Sequence, residues 1–258
     1  MPIVQEPHPQ LERPSSRAKL WRYMDLSKYL RMLESNALWF SRIDCLGDNF
    51  EGSTPKLSVE AIANTLSANL PEIVAQNLQQ INSDTHRRAT LFSYANCWHQ
   101  NRHESMAMWK LYGNPYGIAI ISNLENISMS ISSDYEIYPS LIKYIDYAKD
   151  QIESNNLFAR LTHKRRSFEH EKEVRLFSIN VLDQLPIELL TSPFDPVRAG
   201  LSVPVGVPIS VDLNTLINEI RVDPEMPDWL YESVVDLTTK YGFHFKVRKS
   251  ILGKDPIY

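Results

Sequence analysis

The chain has 258 residues and a formal net charge of −4, a length that suits one large domain with a sizeable core. The mildly acidic balance provides no global basic field to draw the chain to nucleic acid or anionic lipid, although it is compatible with a local basic patch. Two cysteines, Cys45 and Cys97, exclude a disulfide framework and suit a reducing compartment; no apolar run approaches the roughly 18 residues of a membrane span, and the first residues lack the basic-then-apolar order of a signal peptide, so a cytoplasmic protein is expected.

Pro2, Pro7 and Pro9 give residues 1–17 the character of an extended arm, ordered or not, ahead of a single domain over 18–258. Leu20 to Tyr23 reads as a first strand. Ser27 can cap the helix that follows, whose apolar stripe is Leu26, Tyr29, Leu30 and Leu33, with Asn36 as its stop. Ala37 to Ser41 reads as a second strand, with Trp39 and Phe40 on opposite faces. Residues 42–55 read as a loop whose Asp44, Asp48 and Glu51 are either solvated or the polar rim of a cleft. Residues 57–91 look helical with a break at Pro71. Residues 91–98 return to strand character, 103–112 form a compact helix ended by Gly113, and 116–121 form a buried strand.

The second half reads as a strand over 141–147, a helix over 148–167 ending in Lys164, Arg165 and Arg166, and a proline-rich excursion over 181–208. Strands at 209–212 and 217–222, a helix over 227–241 and a closing strand at 243–247 follow. Basic residues at 164–166 complement a helix C-terminus or form a phosphate-binding cluster. Irregular alternation of strands and helices points to an α+β fold.

The most informative stretch is Phe168 to Phe177. Glu171, Glu173 and Arg175 alternate with Lys172, Val174 and Leu176, a period of two that argues for a strand. Val174 and Leu176 then face the core, and two carboxylates and a guanidinium share the other face about 7 Å apart. Such a row is a solvated salt-bridge ladder or the floor of a site. Cys97, His99 and His103 lie at ligand-like spacing without an evident fourth ligand, and no metal is expected. Trp109 and Tyr112 pack in a core or wall a pocket for a flat ring. Glycine-rich dinucleotide, phosphate-loop and nucleophile-elbow motifs are absent.

Leu20-Trp-Arg-Tyr23, Leu38-Trp-Phe-Ser41 with Asp48-Asn-Phe-Glu51, and Met108-Trp-x-x-Tyr112 running into Gly117-Ile-Ala-Ile resemble the bacterial domain-of-unknown-function family 2971. So do Phe168-x-x-Glu-Lys-Glu-x-Arg175 and Ile220-Arg-Val-Asp-Pro224. The strand–helix–strand opening is similar, more distantly, to the ADP-ribosyltransferase superfamily. That resemblance implies a mixed, split β-sheet that clamps NAD, with Arg22, Ser41 and Glu173 at the matching positions and Ser93 as an alternative to Ser41. It implies an enzyme that moves ADP-ribose from NAD to a protein or nucleic-acid acceptor, in some branches as a toxin or antiviral defence effector. In that reading Glu173 stabilises positive charge on the sugar carbon, Glu171 orients or deprotonates the acceptor, and crowding of the two raises one of their pKa values. Arg22 takes pyrophosphate or ribose, while Tyr23, Trp109 or Tyr112 stacks on nicotinamide. The alternative is a non-catalytic module of the same fold that holds nucleic acid or protein through Lys164, Arg165, Arg166 and exposed aromatics.

Overall fold

The computed structural model describes all residues except 1, 7, 114, 154–155, 180–186, 191–192, 255 and 257–258. Strand β1 (Leu20–Met24) leads through α1 (Leu26–Ser35) to β2 (Ala37–Arg42). The side chain of Asp25, not Ser27, caps α1 by accepting from the Lys28 amide at 2.8 Å, and Asn36 ends the helix in the left-handed region at φ 48. A helical hairpin, α2 (Lys56–Asn69) and α3 (Glu72–Leu91), is broken at Pro71 as its sequence predicts. Then come β3 (Ser93–Gln100), α4 (Met106–Tyr112), β4 (Ile118–Ser122), α5 (Leu124–Ser130), β5 (Tyr138–Leu141) and β6 (Lys143–Ile145). They are followed by α6 (Leu157–Leu161), β7 (His163–Arg165), β8 (Glu173–Ile179), α7 (Ile187–Leu190) and α8 (Pro196–Ser202). The chain closes with β9 (Gly206–Ser210), α9 (Leu213–Leu216), β10 (Glu219–Val222), α10 (Asp228–Lys240) and β11 (Val247–Lys249).

Helices flank a mixed sheet of order β11-β10-β4-β1-β3-β2-β9, with β8 and β5 added beside β3, so the fold is α+β. The sheet is organised around β3. One edge of β3 pairs with β8 from Ser93↔Ile179 to His99↔Glu173. Its other edge is shared: Tyr94 and Ala95 pair with Arg42 and Ser41 of β2, whereas His99 and Gln100 pair with Trp21 and Leu20 of β1. Between those contacts β1 and β2 part, and side chains replace the missing ladder. Arg22 Nη1 donates to the Cys97 carbonyl at 2.6 Å, and Asn96 Nδ2 to the Trp39 carbonyl at 2.8 Å. The sheet is therefore split along β3.

Alternation along the strands sorts the two faces. Leu20, Tyr94, Trp98, Ile118, Ile120, Val174 and Leu176 enter the main core, while Trp21, Tyr23, Ala119 and Ile121 meet Met108 and Trp109 of α4 on the other side. Trp39 and Phe40 do fall on opposite faces, Phe40 buried and Trp39 exposed. The N-terminal arm is extended and held in place: Ile3 is buried in the main core, and the Val4 amide donates to the Ile137 carbonyl at 3.0 Å.

Several expectations need correction. The strand expected over 141–147 is divided between the end of β5 and β6, and the closing strand expected over 243–247 begins only at Val247, as β11. The helix expected over 148–167 contracts to α6, because 148–156 lacks an apolar stripe and the segment after Leu161 pairs as β7 in parallel with β6. Lys172 adopts φ 41 after a 3-10 turn over Arg166–Glu171, so the two-residue period starts at Glu173 and Glu171 precedes the strand. The excursion expected over 181–208 contains α7 and α8, and β9 begins inside it, while its residues 181–186 and 191–192 lie outside the described part.

Candidate functional site

A cavity of about 170 Å³ occupies the split. Strand β1 provides Trp21, Arg22 and Tyr23; β2 provides Ser41; β3 provides Ala95, Cys97 and His99; α4 provides Met108 and Tyr112. Lys164 of β7, Glu171, and Glu173 and Arg175 of β8 close it. The side-chain rows explain this convergence. The alternation that sends Tyr94, Asn96 and Trp98 of β3 inward turns Ala95, Cys97 and His99 to the cavity, and the paired register of β3 with β8 puts Glu173 opposite His99.

The charged row of β8 is a buried network rather than a solvated ladder. Arg175 is 0% exposed. Its Nε donates to Glu173 Oε1 at 2.7 Å, and its two terminal nitrogens grip Glu51 at 2.9 and 3.0 Å. Lys164 Nζ donates to Glu171 Oε2 at 2.5 Å and to Glu173 Oε2 at 3.1 Å, and lies 3.6 Å from Glu51. The Tyr112 hydroxyl donates to Glu171 Oε1 at 2.6 Å, and the Tyr144 hydroxyl accepts from the Glu173 amide at 2.8 Å. Three carboxylates against two cations leave one formal negative charge beside the cavity. Removing Lys164 would leave Glu171 buried without a cation in the network, at a typical cost of about 3–5 kcal/mol, whereas loss of one carboxylate leaves each cation another partner and costs less.

The network also sets the ionisation of its members. Burial pushes the Glu173 carboxyl up, but Arg175 and Lys164 outweigh it and hold it down at about 2. The expectation that two crowded carboxylates raise one of the pair therefore fails for Glu173, because the neighbouring cations dominate. Burial pulls Lys164 down, yet Glu173, Glu51 and Glu171 prevail and raise it above its ordinary value. Burial, then the hydrogen bond to Glu171, raises the Tyr112 phenol, and burial with the charge of Glu173 raises the Cys97 thiol. His99 is lowered by burial and is neutral at pH 7. Its Nδ1 lies 2.5 Å from the Glu171 carbonyl, which assigns the proton to Nδ1.

Most of the side chains singled out in the sequence converge here: Arg22, Tyr23, Ser41, Tyr112, Glu171 and Glu173 all line the cavity. Of the two serines, Ser41 lines it, whereas Ser93 is buried and donates to the Ala89 carbonyl. Trp109 does not line it. It packs edge-on beneath Tyr23, with ring centroids 4.9 Å apart, and bonds Glu104 through Nε1. Lys164, Arg165 and Arg166 do not form a basic patch, because alternation along β7 turns Lys164 and Arg165 to opposite sides and Arg166 opens the 3-10 turn that follows. Lys164 turns into the carboxylates, Arg165 pairs with Asp48 and lies over the Phe50 ring, and Arg166 lies 3.5 Å from Asp150.

Sequence reasoning missed the parts played by Glu51 and His99, whereas it left one of Trp39 and Phe40 free to line a pocket or meet the helical layer. Glu51 was visible only as one acid of a loop; its partner Arg175 is 124 positions away, so no local spacing could pair them. His99 was weighed only as a metal ligand. Trp39 borders an adjoining hollow of about 260 Å³ with Arg22, Lys28 and Arg31. Its ring lies so close over Gly206 that a Cβ there would fall 2.3 Å from Trp39 Cε2, which explains the glycine. Arg22 and Lys28 line both spaces. Lys28 and Arg31 have acidic neighbours in Asp25 and Glu34, whereas Arg22 makes no ion pair among the described residues.

Among the described residues no group of three or more His, Cys, Asp or Glu is placed to hold a metal ion, and no helix is long and apolar enough to cross a membrane. Comparison with protein-family models, curated proteins and solved structures finds no match to this chain.

Proposed function

We propose that the chain is an ADP-ribosyltransferase-like enzyme that uses NAD and passes ADP-ribose to a protein or nucleic-acid acceptor. The observation that carries this reading is the pairing within one split of an acid network of net negative charge and a guanidinium without an acidic partner. The nicotinamide of NAD is a cation, and its ring suits the end of the cavity where Glu171 and Glu173 lie, between Tyr23 and Tyr112. The pyrophosphate is an anion and suits Arg22 with Lys28. The remaining adenosine suits the hollow beside Arg31 and Trp39. A dinucleotide laid this way matches charge to charge along its length.

The chemistry follows from that placement. The bond between C1′ of the ribose and the nicotinamide nitrogen breaks, and its electron pair leaves with neutral nicotinamide. Positive charge passes to the sugar, where Glu173, held ionised and fixed by Arg175 and Lys164, stabilises it without reorganising. The acceptor donates a lone pair to C1′, and Glu171 takes the acceptor's proton. The superfamily resemblance supports the same roles and is the sole support for a toxin or defence task.

One observation favours a non-catalytic binding module instead: each carboxylate of the network already has a cation partner, so the network is self-sufficient as a structural element. Lys28, Arg31 and Trp39 would then be its ligand surface. Incubation with NAD labelled separately in the nicotinamide and ADP-ribose halves distinguishes the two. Released nicotinamide with label on a protein, DNA or RNA acceptor supports the enzyme. Neither product across all three acceptor classes gives the reading to the module.

A further inference from the structure

A groove of about 720 Å³ opens where β1 begins and β3 ends, and its charged lining is Arg17, Lys19, Arg102 and Lys172. All four are exposed, and no Asp or Glu lines the groove among the described residues. In a chain of net charge −4 this grouping is a local field of the opposite sign. Arg17 lies 3.6 Å from Glu125. Lys19, Arg102 and Lys172 have no ion-pair partner among the described residues, so three cations are open to an anion.

The groove shares a wall with the cavity in the split. Gln100 lines the groove and His99 the cavity; Lys19 lines the groove and Trp21 the cavity. Lys172 lines the groove, while Glu171 and Glu173 on either side of it line the cavity. At this shared wall Lys172 holds the left-handed region at φ 41, an uncommon conformation for a residue with a Cβ. Backbone bonds tie the three segments together: the Asn101 amide donates to the Lys19 carbonyl at 3.3 Å, and the Gln100 amide to the Lys172 carbonyl at 3.0 Å.

The chemistry of the lining selects the occupant. A protein interface is built on an apolar and aromatic centre, and a lipid surface is entered by apolar side chains. Ala18 is the sole apolar residue lining the groove among the described residues. Gln100 Oε1 is buried with no hydrogen-bond partner among the described residues, so the lining suits a ligand that donates as well as accepts. A nucleotide does both: its phosphate oxygens suit the cations, and its sugar hydroxyls or base amino groups suit the amide. We infer that the groove binds the phosphate backbone of a single nucleic-acid strand. Its place beside Glu171 makes that strand the acceptor, a role that rests on the reading of the split as an ADP-ribosyltransferase site.

Fluorescence anisotropy of labelled single-stranded oligonucleotides, DNA and RNA in separate titrations of the full chain without NAD, tests the groove. With four phosphate contacts at a slope of about −0.7 each, affinity should fall about 50-fold between about 50 and about 200 mM salt. Arg102→Gln combined with Lys172→Gln should weaken binding and reduce that fall to about 7-fold. Both side chains are exposed, so the melting temperature and NAD affinity should stay as in the unsubstituted chain. Nicotinamide release from NAD without oligonucleotide binding overturns the groove and leaves the transferase reading standing. Salt-sensitive oligonucleotide binding without transfer supports the groove and removes the strand's role as acceptor. Equal binding of polyglutamate, or oligonucleotide affinity unchanged in the double variant, overturns the inference.

Discussion

Glu173→Gln removes one charge from the buried network and keeps the shape. The amide can present its oxygen to one of Arg175 Nε and Lys164 Nζ, but its NH₂ then faces the other donor. The buried ion contacts set the magnitude. Breaking one member of a buried ion pair costs about 3–5 kcal/mol, reduced here because Arg175 retains Glu51 and Lys164 retains Glu171. The carboxyl held down at about 2 by Arg175 and Lys164 reflects the same contacts. A loss of about 3 kcal/mol is expected, or a melting temperature lower by about 6–12 °C for a chain of this size. Calorimetric melting at pH 7 measures it. Activity per folded molecule should fall by about 100-fold or more, with the loss in turnover rather than in NAD affinity. A melting temperature unchanged within about 2 °C would refute the charged, bonded network.

Acid should act on the same group. Its folded pKa is depressed, so its contribution is complete above about 4.3 and lost as pH falls toward about 2; urea melts across this window should be steeper in pH for the unsubstituted chain than for Glu173→Gln. Tyr112→Phe deletes the bond to Glu171 and should cost about 1–2 kcal/mol, read by the same melts, with a loss of turnover that a purely structural tyrosine would not show. Gly206→Ala puts a Cβ into the Trp39 ring; we expect about 1–3 kcal/mol of destabilisation from the forced shift, and an unchanged melting curve would mean that Trp39 is free to move.

Much of the fold was readable because it is local. The break at Pro71, the stop at Asn36 and the opposite facing of Trp39 and Phe40 follow from backbone preference and side-chain period. The failure at 148–167 has a tertiary cause: β7 exists because β6 is there to pair with it. The charged row at 171–175 announced itself by period, yet whether it was surface or site depended on Glu51 and Lys164, brought in by a loop and a strand that no spacing connects to it. Lys164 is the clearest case. Its sequence setting beside Arg165 and Arg166 suggests an exposed basic run, whereas strand alternation turns one of the three inward and makes it the counter-ion of three carboxylates. The placement of Arg22 in the split rests likewise on the way β1 and β2 share one edge of β3.

The central claim is that the split binds NAD with Arg22 on its phosphates. Titration calorimetry with NAD on the unsubstituted chain and on Arg22→Ala tests it most directly. Arg22 is half-buried and bonds one carbonyl, so the fold should survive the substitution. Loss of charge-assisted bonds worth about 1.5–3 kcal/mol should weaken NAD binding by about 10- to 100-fold. Absence of heat with the unsubstituted chain at millimolar NAD, or equal affinity in Arg22→Ala, would contradict it.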